Sequence, residues 1–522
     1  MIRLKKETSQ EILDDLNSIV NGTIELDDKF SNLSKLFYKI IKSAAATEPI
    51  AFRNFYAQYR FVTTQVNMDS GNKANLDAFR RLIKKPAGNL IITEILCNQG
   101  SLLLFALIKE LIGEEEQSFF VNISATYIPD YFCSFFPNRN YSTLKDIKIL
   151  CSSWSNIIST GNDAYFILNG YDLDNMEGSV EILMQNHEHS DYTYLHTLLS
   201  ENVILNCKQL KFEGNESSIY QTTFDSLFVI EPDYLVDATA IGECFQSNGA
   251  NSDLFILKKI IEEIASGSAA IKGSIVGYYF DEMLIEDDIG TETLFFKAQR
   301  EYALKAAQFG QIEMNKIKDS IEAEHFPKIQ TLANNERTRK CWIEPTFFSI
   351  DYGIQGRIDL LSGNEEVFVQ NILELKSGSS PNPNMNIAWP GHHMQVVCYD
   401  MALESTYGAN RNGTNSIFYS GCNIMPRRNI VSEHREKQRV LKIRNYIVTK
   451  VFRLAENDFT ILEKIKINGI NPLPPFHANA LKEFRQYYIP TSIETYYYNE
   501  MVAFTLRELI NSKVGNMLRG AN

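Results

Sequence analysis

Apolar residues at three- and four-residue spacing dominate the first 113 positions. QEILDDLNSIV, KLFYKIIKSAA and LDAFRRLI each place one hydrophobic face on a helix, so a helical N-terminal domain is expected over residues 1–113. From 114 to 237 the texture changes to short apolar runs separated by Asn, Gly and Asp. SFFVNISATYI, DIKILC, DAYFILNGY, SVEILMQN, NVILNCKQLKF and SLFVIEPDYL read as strands of a small barrel or sandwich. Residues 238–450 mix both patterns. KGSIVGYYFDEML and ETLFFKAQREYALKAAQFGQIEMNKIKDSIEAE predict helices, and CWIEPTFFSIDYGIQGRIDLL predicts two strands. A turn at Gly363-Asn364 then leads into the strand EVFVQNILELKSG, and a helix follows Pro390-Gly391. Beyond a loop with three prolines, NPLPPFHAN, residues 451–522 read as a helical extension. The fold class is α/β, in the sense of an α+β multidomain chain.

Length and composition fit that division. The chain has 522 residues, enough for about three domains that each bury a core. Its apolar content is 44% and its charged content 22%, a globular balance. The net charge of −13 disfavours nonspecific nucleic-acid binding, so any path for DNA must be a local basic strip. MIRLKKETSQEILDD lacks the apolar core of a secretory signal, and no run approaches eighteen uninterrupted apolar residues. The eight cysteines are scattered without a C-x-x-C pair. A cytoplasmic protein with reduced thiols and no membrane association is expected.

The chemistry concentrates between Gly356 and Tyr399. GRIDLL ends a short strand on Asp359, and on the next strand Glu374 and Lys376 stand two apart. Period two sends both side chains to one face while Leu373 and Leu375 enter the core. Two carboxylates and an ammonium on a sheet rim suit metal-assisted phosphodiester cleavage. Asp359 and Glu374 offer oxygen ligands to Mg²⁺ or Mn²⁺, and Lys376 offers a point charge for the water or the developing oxyanion. A cross-strand ion pair is the plainer alternative. On the following helix Met394, Val397, Cys398 and Met401 face the core, whereas Gln395 and Tyr399, one turn apart, either reach a DNA phosphate together or mark an ordinary helix boundary.

Three further groups carry charge or aromatic surface. Phe52, Phe55, Tyr56, Tyr59 and Phe61 lie among Arg53 and Arg60, which fits either stacking on single-stranded bases or a helical core. Lys297, Arg300 and Lys305 mark a DNA path or a solvated face. The densest basic run, PRRNIVSEHREKQRVLKIR, supplies Arg427, Arg428, Arg435, Lys437, Arg439, Lys442 and Arg444 as candidate phosphate contacts.

The segments Gly356–Asp359, Glu374–Gly378 and Gln395–Tyr399 resemble the Gly-basic-Ile-Asp, Glu-Leu-Lys-x-Gly and Gln-x-x-x-Tyr motifs of PD-(D/E)XK nucleases of the RecB/AddB type. The likeness is nearest to the nuclease half of the Dna-two family of helicase–nucleases. It extends from about Val203 to Val448, through FDSLFVIEPDYLVDATAIGECF and SIFYSGCNIMPRRNIVSEHREKQRVLKIRNYIV. It implies a restriction-endonuclease-like core, an OB-like barrel before it, and Glu344, on the first of the two strands that feed Asp359, as a further acidic residue near the metal. A salt-bridged strand end is the plainer alternative for Glu344. The chain departs from the family in three ways. Gly277 stands where the family has a metal-binding His, and Asp281, one turn later, is the substitute ligand. Cys244 matches the upstream cysteine of the family's iron–sulfur cluster, but no cysteine follows Cys422, so no cluster is expected. No G-x-x-x-x-G-K-[ST] loop occurs, so a helicase would lie in a missing C-terminal part or on a separate chain. The expected activity is a metal-dependent deoxyribonuclease acting on single strands, flaps or ends in replication, repair or defence. The alternative is a catalytically weakened DNA-binding scaffold that works with a partner helicase.

Overall fold

The computed structural model describes residues 2–84, 90–112, 123, 125–136, 144–160, 163–174, 178–188, 190–213, 218–262, 267–364, 369–408 and 411–515. The N-terminal unit is helical: α1 (Lys6–Asn21), α2 (Leu26–Ala45), α3 (Phe55–Gln65), α4 (Ser70–Lys84) and α5 (Glu94–Leu111). Its core joins Leu16, Leu33, Phe37, Phe79 and Leu104. Phe132 belongs to the same core, with Tyr131, Phe135 and Phe136 packed beside it. The helical unit therefore continues past the expected boundary at 113. The proposed first strand, SFFVNISATYI, lies largely outside the described residues, and its described part contains no strand.

A closed five-stranded barrel follows. Its elements in chain order are β1 (Leu144–Trp154), β2 (Ile158–Thr160), β3 (Asp163–Asp172), β4 (Ser179–Gln185), β5 (Ile204–Phe212) and β6 (Ser218–Gln221), with β7 (Leu227–Ile230) added outside β5. The ring runs β1-β3-β4-β6-β5 and closes through β1 and β5, leaving β2 as a short flank of β3. Only the β4–β6 pair is parallel within that ring. Alternation sends Phe166, Leu168, Val180, Ile182, Met184 and Leu205 inward, which is the signal that made the strands legible.

The third part begins with β8 (Val236–Asp237), α6 (Ala238–Gly242), β9 (Phe245–Gln246), β10 (Gly249–Ala250) and α7 (Asp253–Ile256). A helical layer comes next: α8 (Ser268–Ile285), α9 (Thr291–Glu301), α10 (Ala303–Ala306), α11 (Gln311–Ser320) and α12 (Phe326–Glu336). One long helix was expected after α8; Gly310 and a π-helical turn at Ile321–His325 break it into shorter pieces. Then come β11 (Lys340–Ile343), β12 (Thr346–Ser349), β13 (Ile354–Arg357), β14 (Leu360–Asn364), β15 (Val369–Lys376), α13 (Pro390–Tyr407), β16 (Asn415–Tyr419), β17 (Arg427–Ile430) and α14 (His434–Ala455). Strand β14 continues through Gly363 and Asn364, where a turn was expected.

The central sheet has the order β11-β14-β15-β16-β17, with β15 and β16 parallel and the other neighbours antiparallel. Leu360 and Leu373 face the α8–α12 layer, while Ile372 and Ile417 face α13 and the barrel side. The open edge of β17 is covered by the N-terminal unit. Ala51 N donates to Arg427 O at 3.1 Å, and Asn429 N donates to Ala51 O at 3.0 Å. Such backbone pairing removes an exposed strand edge.

The C-terminal helices α15 (Thr460–Asn468), α16 (Ala478–Tyr487) and α17 (Ile493–Val514) share the core of the barrel and sheet through Leu462, Leu481, Leu506 and Ile510. The expected boundary at 450 falls inside α14, so these helices are not a separate extension. Arg444, fully buried on α14, clamps barrel to sheet by donating to the carbonyls of Ile230, Glu231, Tyr234 and Gly353. No helix of the described residues is long and apolar enough to cross a membrane.

Candidate active site

The site forms where the break between β13 and β14 meets the end of β15. Asp359 occupies that break, and its Oδ2 accepts from Leu375 N at 2.6 Å, tying one carboxylate to the strand that carries the other. Glu374, 2% exposed, sits inside the sheet facing α13. Its Oε1 accepts from Lys376 Nζ at 2.7 Å and from Gln395 Nε2 at 2.9 Å. Gln395 Oε1 in turn accepts from Lys376 Nζ at 3.1 Å. The second oxygen, Glu374 Oε2, is buried without a hydrogen-bond partner among the described residues. A native carboxylate in that state needs an explanation, because the desolvation cost is large.

Helix α13 approaches closely because two glycines leave room. A Cβ on Gly356 would meet Tyr399 Cε1 at 2.6 Å, and one on Gly242 would meet Gly391 O at 2.6 Å. The motif glycine before Asp359 is thus explained by contact with the tyrosine of the helix. Gln395 and Tyr399 are both buried and spend their polar atoms internally: Gln395 Nε2 also donates to Tyr399 OH at 2.8 Å and to Thr239 Oγ1 at 3.1 Å, and Tyr399 OH donates to Arg357 O at 2.8 Å. Their expected role as direct DNA contacts is corrected accordingly: they hold Glu374 and Lys376 in place.

The electrostatics are unbalanced. Although Asp359 retains some open surface, crowding by protein atoms and then the charge of Glu374 push its acid well above the ordinary value, against Lys376 and the Leu375 N–H. Burial pushes Lys376 down, but Glu374 and Asp359 outweigh it and hold the ammonium above its usual range. Asp281, on α8, is pushed up to about 7 by burial and by Glu344, with Arg357 opposing. It also raises Asp359, so the two belong to one electrostatic cluster.

Glu344 lies on a bend after β11 and not on the strand where it was expected, with φ of 49°. Its N–H donates to Asp359 O at 3.1 Å, and its carboxylate pairs with Arg357 at 3.0 Å in an exposed ion pair. Gly277 leaves open space, since a Cβ there would have no neighbour within 4 Å. Among the described residues no three His, Cys, Asp or Glu side chains are gathered closely enough to hold a metal ion.

The remaining candidates lie elsewhere. Arg427 pairs with buried Glu336 at 2.8 Å and donates to Ser416 Oγ. Arg428, 1% exposed, is enclosed and reaches Pro383 O at 3.3 Å. Arg427 is committed to that ion pair and Arg428 is enclosed, and both belong to β17 and not to the basic helix. Arg435 is exposed on α14, beside a cavity of about 160 Å³ shared with Asp191 and Tyr192 of the barrel side. Lys437 pairs with Glu404, and Lys442 with Asp191 at 3.1 Å. Lys297 pairs with Glu282 at 2.6 Å and with Glu286 at 3.3 Å. Arg300 and Lys305 lie over the rings of Phe296 and Tyr302. Tyr59 and Phe61 are buried in the helical core, Phe52, Phe55 and Tyr56 pack against it, and Arg80 covers Tyr56 and Tyr59, so this cluster is core and not a stacking platform.

Two residues of the site were not anticipated. Thr239 accepts from Gln395, and His392 lies near Lys376 with its ring on Tyr419. His392 was detectable in principle, being three residues before Gln395 and seven before Tyr399 on one helix face. No family model matches the chain, and no curated protein matches it.

Proposed function

We propose that the protein is a metal-dependent deoxyribonuclease with a PD-(D/E)XK-like core, acting on single-stranded DNA, flaps or DNA ends. The observation that carries this reading is the Glu374–Lys376–Gln395–Tyr399 hydrogen-bonded chain beside Asp359, with Glu374 Oε2 left without a partner. An excess of buried carboxylate oxygen suits a hard divalent cation, and Asp359 and Glu374 would hold Mg²⁺ or Mn²⁺ through oxygen alone. Asp281 and Glu344 contribute negative potential from the rim. When bound, such an ion supplies Lewis-acid chemistry, offsetting phosphate charge and easing deprotonation of the attacking water.

The chain's own residues account for the rest. Lys376 stays charged because two carboxylates favour its ammonium, and that charge faces the place where a phosphate would gain negative charge. Gln395 fixes the direction of Lys376 Nζ, and Tyr399 fixes Gln395. Arg435 and Arg439, both exposed on the basic helix, remain for the DNA backbone. The barrel's strand order, with one parallel pair closing an otherwise antiparallel ring, supports the OB-like reading. A helicase partner and a cytoplasmic setting complete the proposal.

Gly277 favours a second reading, a DNA-binding scaffold with weakened catalysis. Cleavage of a labelled single strand and a flapped duplex with Mg²⁺, Mn²⁺ or EDTA, in wild type and Lys376→Ala, decides between them. Metal-dependent cutting that is lost in the variant supports the nuclease. Binding without cutting under either metal supports the scaffold.

A further inference from the structure

Strand β16 ends on Tyr419, the register partner of Lys376 on β15. His392, in the first turn of α13, lies over this tyrosine with ring centroids 5.7 Å apart. Tyr419 OH accepts from Trp389 N at 3.1 Å and lies 3.0 Å from His392 Nδ1. The phenol has one proton to donate. The backbone N–H of Trp389 can only donate, and among the described residues the buried phenol has no other acceptor, so its proton goes to Nδ1. That bond fixes the imidazole tautomer: Nδ1 accepts, and Nε2 carries the hydrogen. Among the described residues Nε2 has no hydrogen-bond partner. Burial, and then the charge of Lys376, hold the ring neutral by lowering its pKa to about 3. His392 is thus an oriented neutral donor beside the ammonium of the site, in line with Gln395 and Tyr399.

We propose that His392 is a further substrate-contacting residue, its Nε2–H donating to a non-bridging oxygen of the DNA phosphodiester held next to Lys376. The inference rests on the nuclease reading. A protonated Nε2 cannot ligate a cation, so His392 does not replace the histidine that Gly277 lacks. It supplies a hydrogen bond where charge develops, and Tyr419 with the Trp389 N–H holds the ring in that role. The bare packing alternative, a ring that merely covers Tyr419, makes the opposite forecast for a planar apolar replacement.

The test uses the full chain, a labelled single-stranded oligonucleotide, and Mg²⁺ or Mn²⁺. Loss of one donor to a developing oxyanion lowers turnover about a hundredfold, so His392→Ala and His392→Phe should both lose about that factor in kcat. KM, and affinity for uncut strand measured with Ca²⁺, should change little. His392→Gln restores an N–H donor and should recover part of the rate, as should free imidazole added to His392→Ala. Cutting by His392→Phe at the wild-type rate overturns the proposal. So does a loss in His392→Ala that neither glutamine nor imidazole repairs and that accompanies a lower melting temperature. A wild-type protein that binds DNA but cuts with neither metal fails at the nuclease reading itself, which is a separate result.

Discussion

Replacing Asp281 by Asn tests the electrostatic account of the site without requiring catalysis. Asp281 makes no hydrogen bond to any described residue, so Asn changes its charge and loses no partner. Burial and Glu344 push this acid up to about 7, whereas an unfolded chain releases the proton near pH 3.9. The folded protein therefore holds a proton that the unfolded chain has lost between about pH 4 and pH 7. The stability linked to this group is fully present below pH 4 and is lost as pH rises through 7. Three pKa units at about 1.4 kcal/mol each set a ceiling of about 4 kcal/mol for that loss. With Arg357 nearby and part of the side chain open to water, about 2 kcal/mol is the working figure. In EDTA, Asp281→Asn should match the wild type near pH 4 and exceed it at pH 8. For a urea slope of about 2 kcal/mol/M, the midpoint of the affected transition moves up by about 1 M. Urea melts from pH 4 to 8 provide the measurement. A difference independent of pH, or a variant weaker than wild type at pH 8, would refute the reasoning.

Three other outcomes follow from contacts already described. Gly356→Ala drives a methyl into Tyr399, so it should cost about 1–3 kcal/mol by thermal melting and reduce cleavage by disturbing Gln395. Arg444→Ala removes one donor from each of four carbonyls, two of which (Glu231 and Gly353) keep a backbone N–H, and should destabilise the barrel–sheet junction by about 3 kcal/mol, read as an earlier melting transition. Arg435→Ala should leave the melting temperature unchanged but weaken DNA binding on all sequences and lower the salt slope by about 1, as measured by fluorescence titration at several salt concentrations.

Much of this was legible in local patterns. Alternating burial marked the barrel strands, and period two placed Glu374 and Lys376 together on β15 while Leu373 faced the helical layer. Depth was less legible. A four-residue spacing placed Gln395 and Tyr399 on one helix face but said nothing of whether that face meets solvent or sheet; close approach at Gly356 decides it. The basic run misled because charge density was read as one helix, whereas Arg427 and Arg428 lie on β17 and only the residues from His434 onward are helical. The expected boundary at 450 failed because the apolar face of α14 continues to Ala455, beyond the nuclease-like motifs. The role of Ala51 as a sheet neighbour spans more than 370 residues of sequence, and no local pattern encodes such a contact.

The helices packed on the sheet supply the control that gives the site its meaning. Glu336 and Asp400 are as buried as Glu374, yet burial does not prevail there. Arg427 and Ser362 hold Glu336 below the ordinary carboxylate range, and Arg411, Lys437 and Asn415 hold Asp400 lower still. At these positions cations and donors match the carboxylate oxygens. Around β15 they do not: Asp359, Glu374, Asp281 and Glu344 face Lys376 and Arg357, and one oxygen of Glu374 has no partner among the described residues. Burial is the largest cause that raises Asp359 and Asp281, and there, unlike at Glu336 and Asp400, the neighbouring carboxylate adds to it and outweighs the opposing cation. A fold carries such a surplus of negative charge at a stability cost, and such local conflicts concentrate where function requires them. Protons relieve the surplus at low pH. A divalent cation offers the same relief once these acids ionise, which is the physical basis for proposing that the site works with one.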